Sequence, residues 1–342
     1  MVPPIVQEQM SLPVTYDDVL EALPRVSRVL RPTPLIRWPG LSESMGCSFY
    51  LKHENHQPVG AFKVRGGVNL VDTLSDAEKS DGILAVSTGN HGQSLAFAAQ
   101  RSGVSCTIVV PEKNNPDKIR AMRLLGARIV EHGCDFDEAR QYVEQLQVER
   151  GGRYVHSANE PKLIAGVGTM AWEVFESLPE PDVILVPIGL GSGVCGTCLV
   201  AKHRRPATRV IGVQATGATA VAQSWRTGRP VTHERVDTFA EGMATRIPAE
   251  MTMQIMRELM DDVIVVSDDE LRHAIFRILE DSHNLAEGAG AAAFAAAFQQ
   301  RERFQGKTVV GVLSGGNLDL GELPTVLSRG RQFKEEVSVR QQ

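Results

Sequence analysis

The segment from Pro58 to Gly67 reads Pro-Val-Gly-Ala-Phe-Lys-Val-Arg-Gly-Gly and sets Lys63 behind an apolar Ala61-Phe62 pair. Burial disfavours the ammonium form, so a lysine enclosed there has a lowered pKa and offers a nucleophilic amine. Such an amine condenses with a carbonyl to form a Schiff base. Gly60, Gly66 and Gly67 let other groups come close to the backbone around it. The same residues also fit a helix-start lysine facing water, and a short motif alone does not separate the two.

Three further stretches carry chemistry. Ser87-Thr88-Gly89-Asn90-His91-Gly92-Gln93 follows a strand-like run and opens a helix. Helix N-termini present unshared N–H groups and partial positive charge, which suits a carboxylate. A plain cap made by Ser87 or Thr88 is compatible with that role. Pro187 to Gly193, Pro-Ile-Gly-Leu-Gly-Ser-Gly, again lies between a strand and a helix, in the arrangement that cradles a phosphate. It is neither a dinucleotide fingerprint, because Val194 stands at the last glycine position, nor a P-loop, because no Gly-Lys-Ser/Thr follows. Ser314-Gly315-Gly316-Asn317 comes after an apolar strand, at the strand end where open parallel sheets bind ligands. A serine hydroxyl there suits a heterocyclic nitrogen, although an ordinary turn would read the same way.

The elements that must place these groups alternate along the chain. Strands are expected at 48–52, 83–86, 106–110, 127–130, 183–186, 209–213, 263–266 and 309–313. Helices are expected at 62–74, 91–100, from Pro116 to a stop at Gly126, at 136–148 and at 286–300. Such alternation predicts an α/β protein with parallel sheets covered on both faces. The polar stretch 228–241 reads as a surface loop, and the charged residues after Arg329 read as frayed.

Composition narrows the function classes. The chain has 342 residues, 42% hydrophobic and 23% charged, with a net charge of −5. That is ordinary globular composition, with room for about two domains. An acidic balance gives no basic face for nucleic acid or an anionic membrane. The first residues lack a basic region followed by an apolar run, and no apolar stretch reaches the length of a spanning helix. Five cysteines without a secretory signal suggest reduced thiols in the cytoplasm. Cys195-Gly-Thr-Cys198 imitates a redox pair, but zinc would need a second pair. His53 and His56 follow a strand and have no helix to hold them on one face.

A Schiff-base lysine, a carboxylate-binding turn, a phosphate loop and a neutral hydroxyl together match the aldehyde, phosphate and pyridine nitrogen of pyridoxal 5′-phosphate and the carboxylate of an amino acid. From Arg31-Pro-Thr-Pro-Leu35 to Ser314–Asn317 the chain resembles the fold type II pyridoxal-phosphate enzymes of the threonine/serine dehydratase and serine racemase branch. The resemblance implies two open, mostly parallel sheets like those of the tryptophan synthase β chain. Residues 15–79 and 158–330 would form the large cofactor domain, 80–157 a small mobile substrate domain, and 1–14 and 331–342 flexible termini. It implies that Lys63 carries the cofactor, with Phe62 and Asn90 beside the ring and Asn90 on the phenolic oxygen. Gly189, Leu190, Gly191, Ser192 and Gly193 would hold the phosphate and Ser314 the pyridine nitrogen, with Gly242 and Glu287 close by. Lys63, Ser87, Thr88 and His91 would be the catalytic and substrate-binding group.

The implied reaction is β-elimination from a β-hydroxy L-amino acid such as L-threonine or L-serine, giving a 2-oxo acid and ammonia. A larger substrate (an aryl-serine or a hydroxyectoine-derived intermediate) and a serine racemase-type enzyme are the alternatives. The partners implied are a small-molecule amino acid and copies of the same chain, as a homodimer or homotetramer; no metal, nucleic acid or membrane is expected. Several positions depart from the family pattern. Ala61 stands for a usual serine, Gly-Leu-Gly-Ser for four glycines, and His156-Ser-Ala-Asn159 for His-Pro-Phe-Asp. The racemase branch has serine where this chain has Thr88, and metal-binding carboxylates where Gln214 and Ala220 stand. No regulatory domain is expected after residue 330.

Overall fold

The computed structural model describes residues 12–340. Two sheets organise the chain. The larger has the order β1-β2-β10-β7-β8-β9, built from β1 (Leu35–Arg37), β2 (Ser48–His53), β7 (Val183–Pro187), β8 (Arg209–Ala215), β9 (Asp262–Val266) and β10 (Thr308–Leu313). Every pairing in it is parallel except β1 with β2. The smaller sheet is entirely parallel, in the order β5-β4-β3-β6, from β3 (Ile83–Val86), β4 (Cys106–Val110), β5 (Arg128–Glu131) and β6 (Arg153–Tyr154).

Helices cover both sheets. α1 (Tyr16–Ser27), α2 (Pro39–Met45), α3 (Val64–Asp72) and α4 (Asp76–Asp81) precede the small sheet. α5 (Asn90–Ser102), α6 (Pro116–Leu124) and α7 (Phe136–Arg150) connect its strands. α8 (Pro161–Ser177), α9 (Ser192–Arg204), α10 (Ala220–Thr227), α11 (Glu250–Leu259), α12 (Asp268–Ser282), α13 (Gly288–Gln299), α14 (Arg301–Phe304) and α15 (Leu323–Arg340) follow. α13 is alanine-rich and buried from Gly288 to Ala297, so β7 and β10 pack close against it.

The expected α/β class is the observed one, and the boundaries differ where tertiary bonds intervene. α3 starts at Val64 rather than Phe62, because Ala61 bridges to Gly315 and the Phe62 N–H donates to the Ser314 carbonyl at 3.0 Å. Lys63 therefore stands just before the first helical residue. The segment after Arg329 is not frayed in backbone: α15 continues to Arg340 and packs on α12, with Gly330 close against Phe276. Its charged composition hid that contact. Val14, assigned to a flexible arm, is fully buried in the core with Val19 and Ala22. The remainder of that arm, through residue 11, and residues 341–342 lie outside the described residues.

α3 lies between α5 and α8 and is buried from Val64 to Val71. Glycine makes this possible: a Cβ on Gly66 would lie 2.8 Å from the Leu163 carbonyl, and one on Gly67 would overlap Ser94 Oγ. A helix so enclosed also holds a charge. Arg65, fully buried, donates to both oxygens of Glu54 at 2.7 and 2.8 Å and to both oxygens of Glu173 at 2.7 and 2.8 Å. Lys52 joins Glu173 and the Thr33 carbonyl, and Thr33 Oγ1 donates to Glu54 at 2.6 Å. Two cations and two carboxylates thus balance inside the protein. Burial alone would raise the Glu54 carboxyl, but the charge and hydrogen bonds of Arg65 outweigh it and hold it below its ordinary value.

Truncating Glu54 to alanine leaves Arg65 buried beside a void. The Glu54→Ala variant is expected to lose ~3–5 kcal/mol of unfolding free energy in urea titrations. A carboxyl depressed in the fold stabilises above its unfolded value of 4.5 and ceases to do so as pH falls through the lower folded value. The gap between parent and variant is therefore expected to narrow only in that acid range; an equal gap at every pH would contradict this account.

Candidate active site

Lys63 is positioned from both sides in sequence. Ahead of it, the Gly60–Phe62 segment is bonded to the loop after β10, through Phe62 N–H to the Ser314 carbonyl and Gly316 N–H to the Gly60 carbonyl at 2.9 Å. Behind it, Ser94 Oγ on α5 donates to the Lys63 carbonyl at 2.6 Å. The ammonium lies 5.3 Å from the centre of the Phe62 ring. Burial lowers Lys63 to about 8, while the charge of Glu287 pulls it back up. Some of its side chain remains open to the cleft.

The phosphate-loop candidate meets the same aromatic ring. Gly191, in the left-handed region at φ 105°, precedes the first turn of α9, and Cys195 N–H is the first to bond back, to the Gly191 carbonyl at 2.9 Å. The preceding N–H groups, of Ser192, Gly193 and Val194, belong to the unshared donors of a helix N-terminus. A Cβ on Gly193 would come 3.2 Å from the Phe62 ring, and one on Gly189 would overlap the Gly242 carbonyl. Thr252 of α11 donates to the Leu190 carbonyl at 2.5 Å and braces the loop from outside. The cysteine pair that follows is structural. Both thiols are buried in α9, burial raises both, and Cys195 contacts the Thr252 carbonyl.

The Ser87–His91 turn is set by its first residue. Ser87 Oγ accepts N–H groups from Gly92 at 2.8 Å and Gly89 at 3.2 Å. Ser87 is thus the cap that shapes the turn, and Asn90 and His91 keep the N–H groups that start α5. The backbone carbonyl of Thr88 accepts from Asn114, and its side chain is half-buried. His91 is buried with Nε2 3.4 Å from the Val155 carbonyl, and burial first, then the charge of Lys63, lower it to about 3. It is a neutral hydrogen-bonding side chain at any ordinary pH. His156 folds its Nδ1 back on the N–H groups of Ala158 and Asn159, and Asn159 Oδ1 accepts the Met251 N–H of α11.

Asn90 joins the small sheet to the large one. Its Nδ2 donates to Glu287 Oε1 at 2.7 Å and its Oδ1 accepts from Asn317 at 2.8 Å. Glu287 precedes α13, and its N–H donates to the Gly315 carbonyl. Burial raises Glu287 to about 7, against Lys118 and the Asn90 hydrogen bond, which lower it. Sequence reasoning missed Lys118 and Glu241. They form an ion pair across the cleft mouth, where Asn317 and Asp319 also lie. Lys118 looks like any exposed helix cation in Asn-Pro-Asp-Lys-Ile-Arg, and its partner is far away in sequence. Asn115, one turn earlier, donates to Asp319 at 2.9 Å, so α6 touches the large-sheet side twice.

A model of the family described as pyridoxal-phosphate dependent enzyme matches residues 26–315. The chain belongs to that family. L-threonine ammonia-lyase of Thermotoga maritima is 37% identical over 317 residues, covering 93% of this chain and 79% of that protein. The processed threonine deaminase isoform 2 of Solanum lycopersicum superposes with a TM-score of 0.89 at 31% identity, over 97% of this chain and 94% of that one. Maize serine racemase superposes with a TM-score of 0.87 at 30% identity, over 94% and 99%. The residues present fit the family cofactor. A lysine of lowered pKa and a glycine loop at a helix N-terminus share one aromatic ring, and Ser314 directly follows the adjoining strand β10.

Two outcomes follow for this pyridoxal-phosphate enzyme. The amine of Lys63 is uncharged above about 8, so the rate at which cofactor-free protein captures pyridoxal phosphate is expected to climb with pH up to that value and then level off. A stopped-flow absorbance series checks it. Gln214, where the resemblance to the racemase branch leads one to expect a metal-binding carboxylate, is buried with its Oε1 committed to the Ala222 N–H at 2.8 Å, and Ala220 has no donor atom in its side chain. Neither supplies a carboxylate for a hard cation. Dialysis against EDTA is expected to leave turnover within about twofold, where removing a required catalytic ion costs orders of magnitude.

Proposed function

We propose that this pyridoxal-phosphate dependent ammonia-lyase converts L-threonine or L-serine to the 2-oxo acid and ammonia. The observation that carries the reading is the convergence on Lys63 of the Ser87–His91 turn, the Gly189–Gly193 loop and Ser314 from the ends of strands in both sheets. The bound cofactor supplies an aldehyde that captures amines and a ring that draws electrons from the amino acid. The protein supplies the rest.

The N–H groups of Asn90 and His91, at the positive end of α5, hold the substrate carboxylate. Ser87 keeps that turn in shape and neutral His91 fills its floor without competing for the charge. The Gly189–Gly193 loop would hold the phosphate through backbone donors, so Leu190 and Ser192 would serve where other members have glycine. Phe62 and Asn90 would flank the ring; Gly242 backs the loop, and Glu287 bonds Asn90. Ser314 would offer the ring nitrogen a neutral partner. Lys63 would hold the cofactor and, with its amine free, would be placed to take the Cα proton from its own side. Loss of the β-hydroxyl as water followed by hydrolysis to the 2-oxo acid and ammonia would be redox-neutral overall and need no external oxidant.

Supporting assignments belong to the same reading. Residues 80–157 move as the substrate-side unit against 15–79 and 158–330, and the enzyme works in the cytoplasm as a homodimer or homotetramer. Among the described residues no helix is long and apolar enough to cross a membrane.

Lys63→Ala is expected to abolish ammonia release from L-threonine and L-serine. Borohydride reduction followed by peptide mass spectrometry is expected to place the cofactor on Lys63; label on another lysine would refute the assignment. A second expectation concerns the face opposite Lys63. Racemization needs a proton donor there, and the β-methyl of Thr88 restricts its hydroxyl. A misplacement of ~1 Å costs about a hundredfold, so 2-oxo acid is expected to exceed D-isomer by that factor or more. Thr88→Ser is expected to raise the D-isomer while elimination continues. Chiral chromatography of both proteins decides it, and D-serine formed as fast as pyruvate by the parent would favour the racemase alternative.

A further inference from the structure

Asn317 ends the loop that carries Ser314, yet its side chain points at neither Ser314 nor the phosphate loop. Its Nδ2 donates at 2.8 Å to the Val59 carbonyl and at 2.8 Å to Asn90 Oδ1. Both amide hydrogens are committed, so the orientation of this amide is fixed by its partners. Gly60 makes the placement possible: it sits at φ 68°, and a Cβ there would lie 2.6 Å from Asn317 Oδ1. Asn317 thus connects three segments in one step: the run leading to Lys63, the loop after β10, and the start of α5. The connection is directional. Asn90 accepts from Asn317, which leaves its Nδ2 turned to Glu287 Oε1 at 2.7 Å.

We propose that Asn317 is a positioning residue that locks the Asn90 amide with its N–H side toward Glu287 and the cofactor. The lock matters because the neighbour of Asn90 changes character. Glu287, raised to about 7 by burial, is only partly ionised near neutral pH. A protonated carboxyl offers a hydrogen, which would invite the Asn90 amide to turn its oxygen round. Asn317 already occupies that oxygen, so Asn90 presents the same face whether Glu287 is charged or neutral. The inference rests on the proposed place of Asn90 beside the cofactor.

The test is a double-mutant cycle read in the dissociation constant of pyridoxal phosphate, measured by fluorescence titration of cofactor-free protein. Asn317→Ala and Asn90→Ala are each expected to weaken binding about tenfold, the scale of a lost hydrogen bond. If Asn317 acts through Asn90, the double variant binds as weakly as Asn90→Ala alone; independent effects would multiply. The visible band of bound cofactor in Asn317→Ala is also expected to become pH-dependent around 7, a change that Glu287→Gln removes. Should alanine at 317 leave too little folded protein, Asn317→Asp keeps the shape, offers no N–H and carries the same cycle. Multiplying effects, or an Asn317 variant that binds within twofold of the parent, overturn the proposal. An Asn90→Ala protein with unchanged binding overturns instead the placement of Asn90 at the cofactor.

Discussion

The buried contact of Arg65 with Glu54 and Glu173 is the constraint on which the rest of this molecule depends. It joins the short helical turn Glu54–His56 that follows β2, the start of α3 and the C-terminal half of α8, and it lies two residues beyond Lys63. Its charges carry little net stabilisation relative to well-packed apolar groups, because burying each ion is expensive. What it imposes is geometry. A guanidinium fork with carboxylates on two sides accepts one arrangement, so α3 takes one rotation between α5 and α8. Lys63, just before the first residue of that helix, inherits the placement.

The same logic distributes charge through the site. The quartet keeps two cations and two carboxylates together, away from the cleft. In the cleft, Lys63 and Glu287 each move toward neutrality, the first lowered to about 8 and the second raised to about 7. Burial, and then the charge of Lys63, lower His91 to about 3, so it is neutral near pH 7. Lys118 and Glu241 neutralise each other at the mouth. Fixed positive potential therefore remains chiefly at two helix N-termini, α5 and α9, the two places that the proposed function gives to an amino acid carboxylate and a phosphate.

Much of this was legible in the sequence because each chemical group follows a strand. β3, β7 and β10 fall at 83–86, 183–187 and 308–313, close to their expected ranges, and the turn, loop and serine stretch begin directly after them. Period and glycine punctuation reveal such local features. The ion quartet was not legible, since Lys52, Glu54, Arg65 and Glu173 lie on four elements and no periodicity links them. Lys118 with Glu241 escaped for the same reason, being 123 positions apart. The helix after Arg329 escaped because its polar surface masks a glycine contact at Gly330, and Val14 because a single buried residue leaves no pattern. Ser87 reads in the sequence as cap and ligand alike, and in the fold its oxygen accepts from the Gly89 and Gly92 N–H groups.

That allocation of roles bears on which reaction such a site favours. A proton relayed from Cα needs a group that is both near neutral pKa and unanchored. Lys63, lowered to about 8, is the amine to which the proposed function gives this role. Glu287 has a suitable pKa, but its Oε1 is bonded to Asn90 and its backbone N–H to Gly315, so its position is structural. His91 faces the Val155 carbonyl, and Ser87 gives its oxygen to Gly89 and Gly92. Of the groups described in the Ser87–His91 turn, the hydroxyl of Thr88 stays outside such commitments, and its β-branch narrows its rotamers. Elimination is satisfied by one movable proton on one face; inversion at Cα asks for two on opposite faces. On the proposed reading, the hydrogen bonds that hold the turn in shape keep Ser87 and His91 from supplying the second proton that inversion asks for.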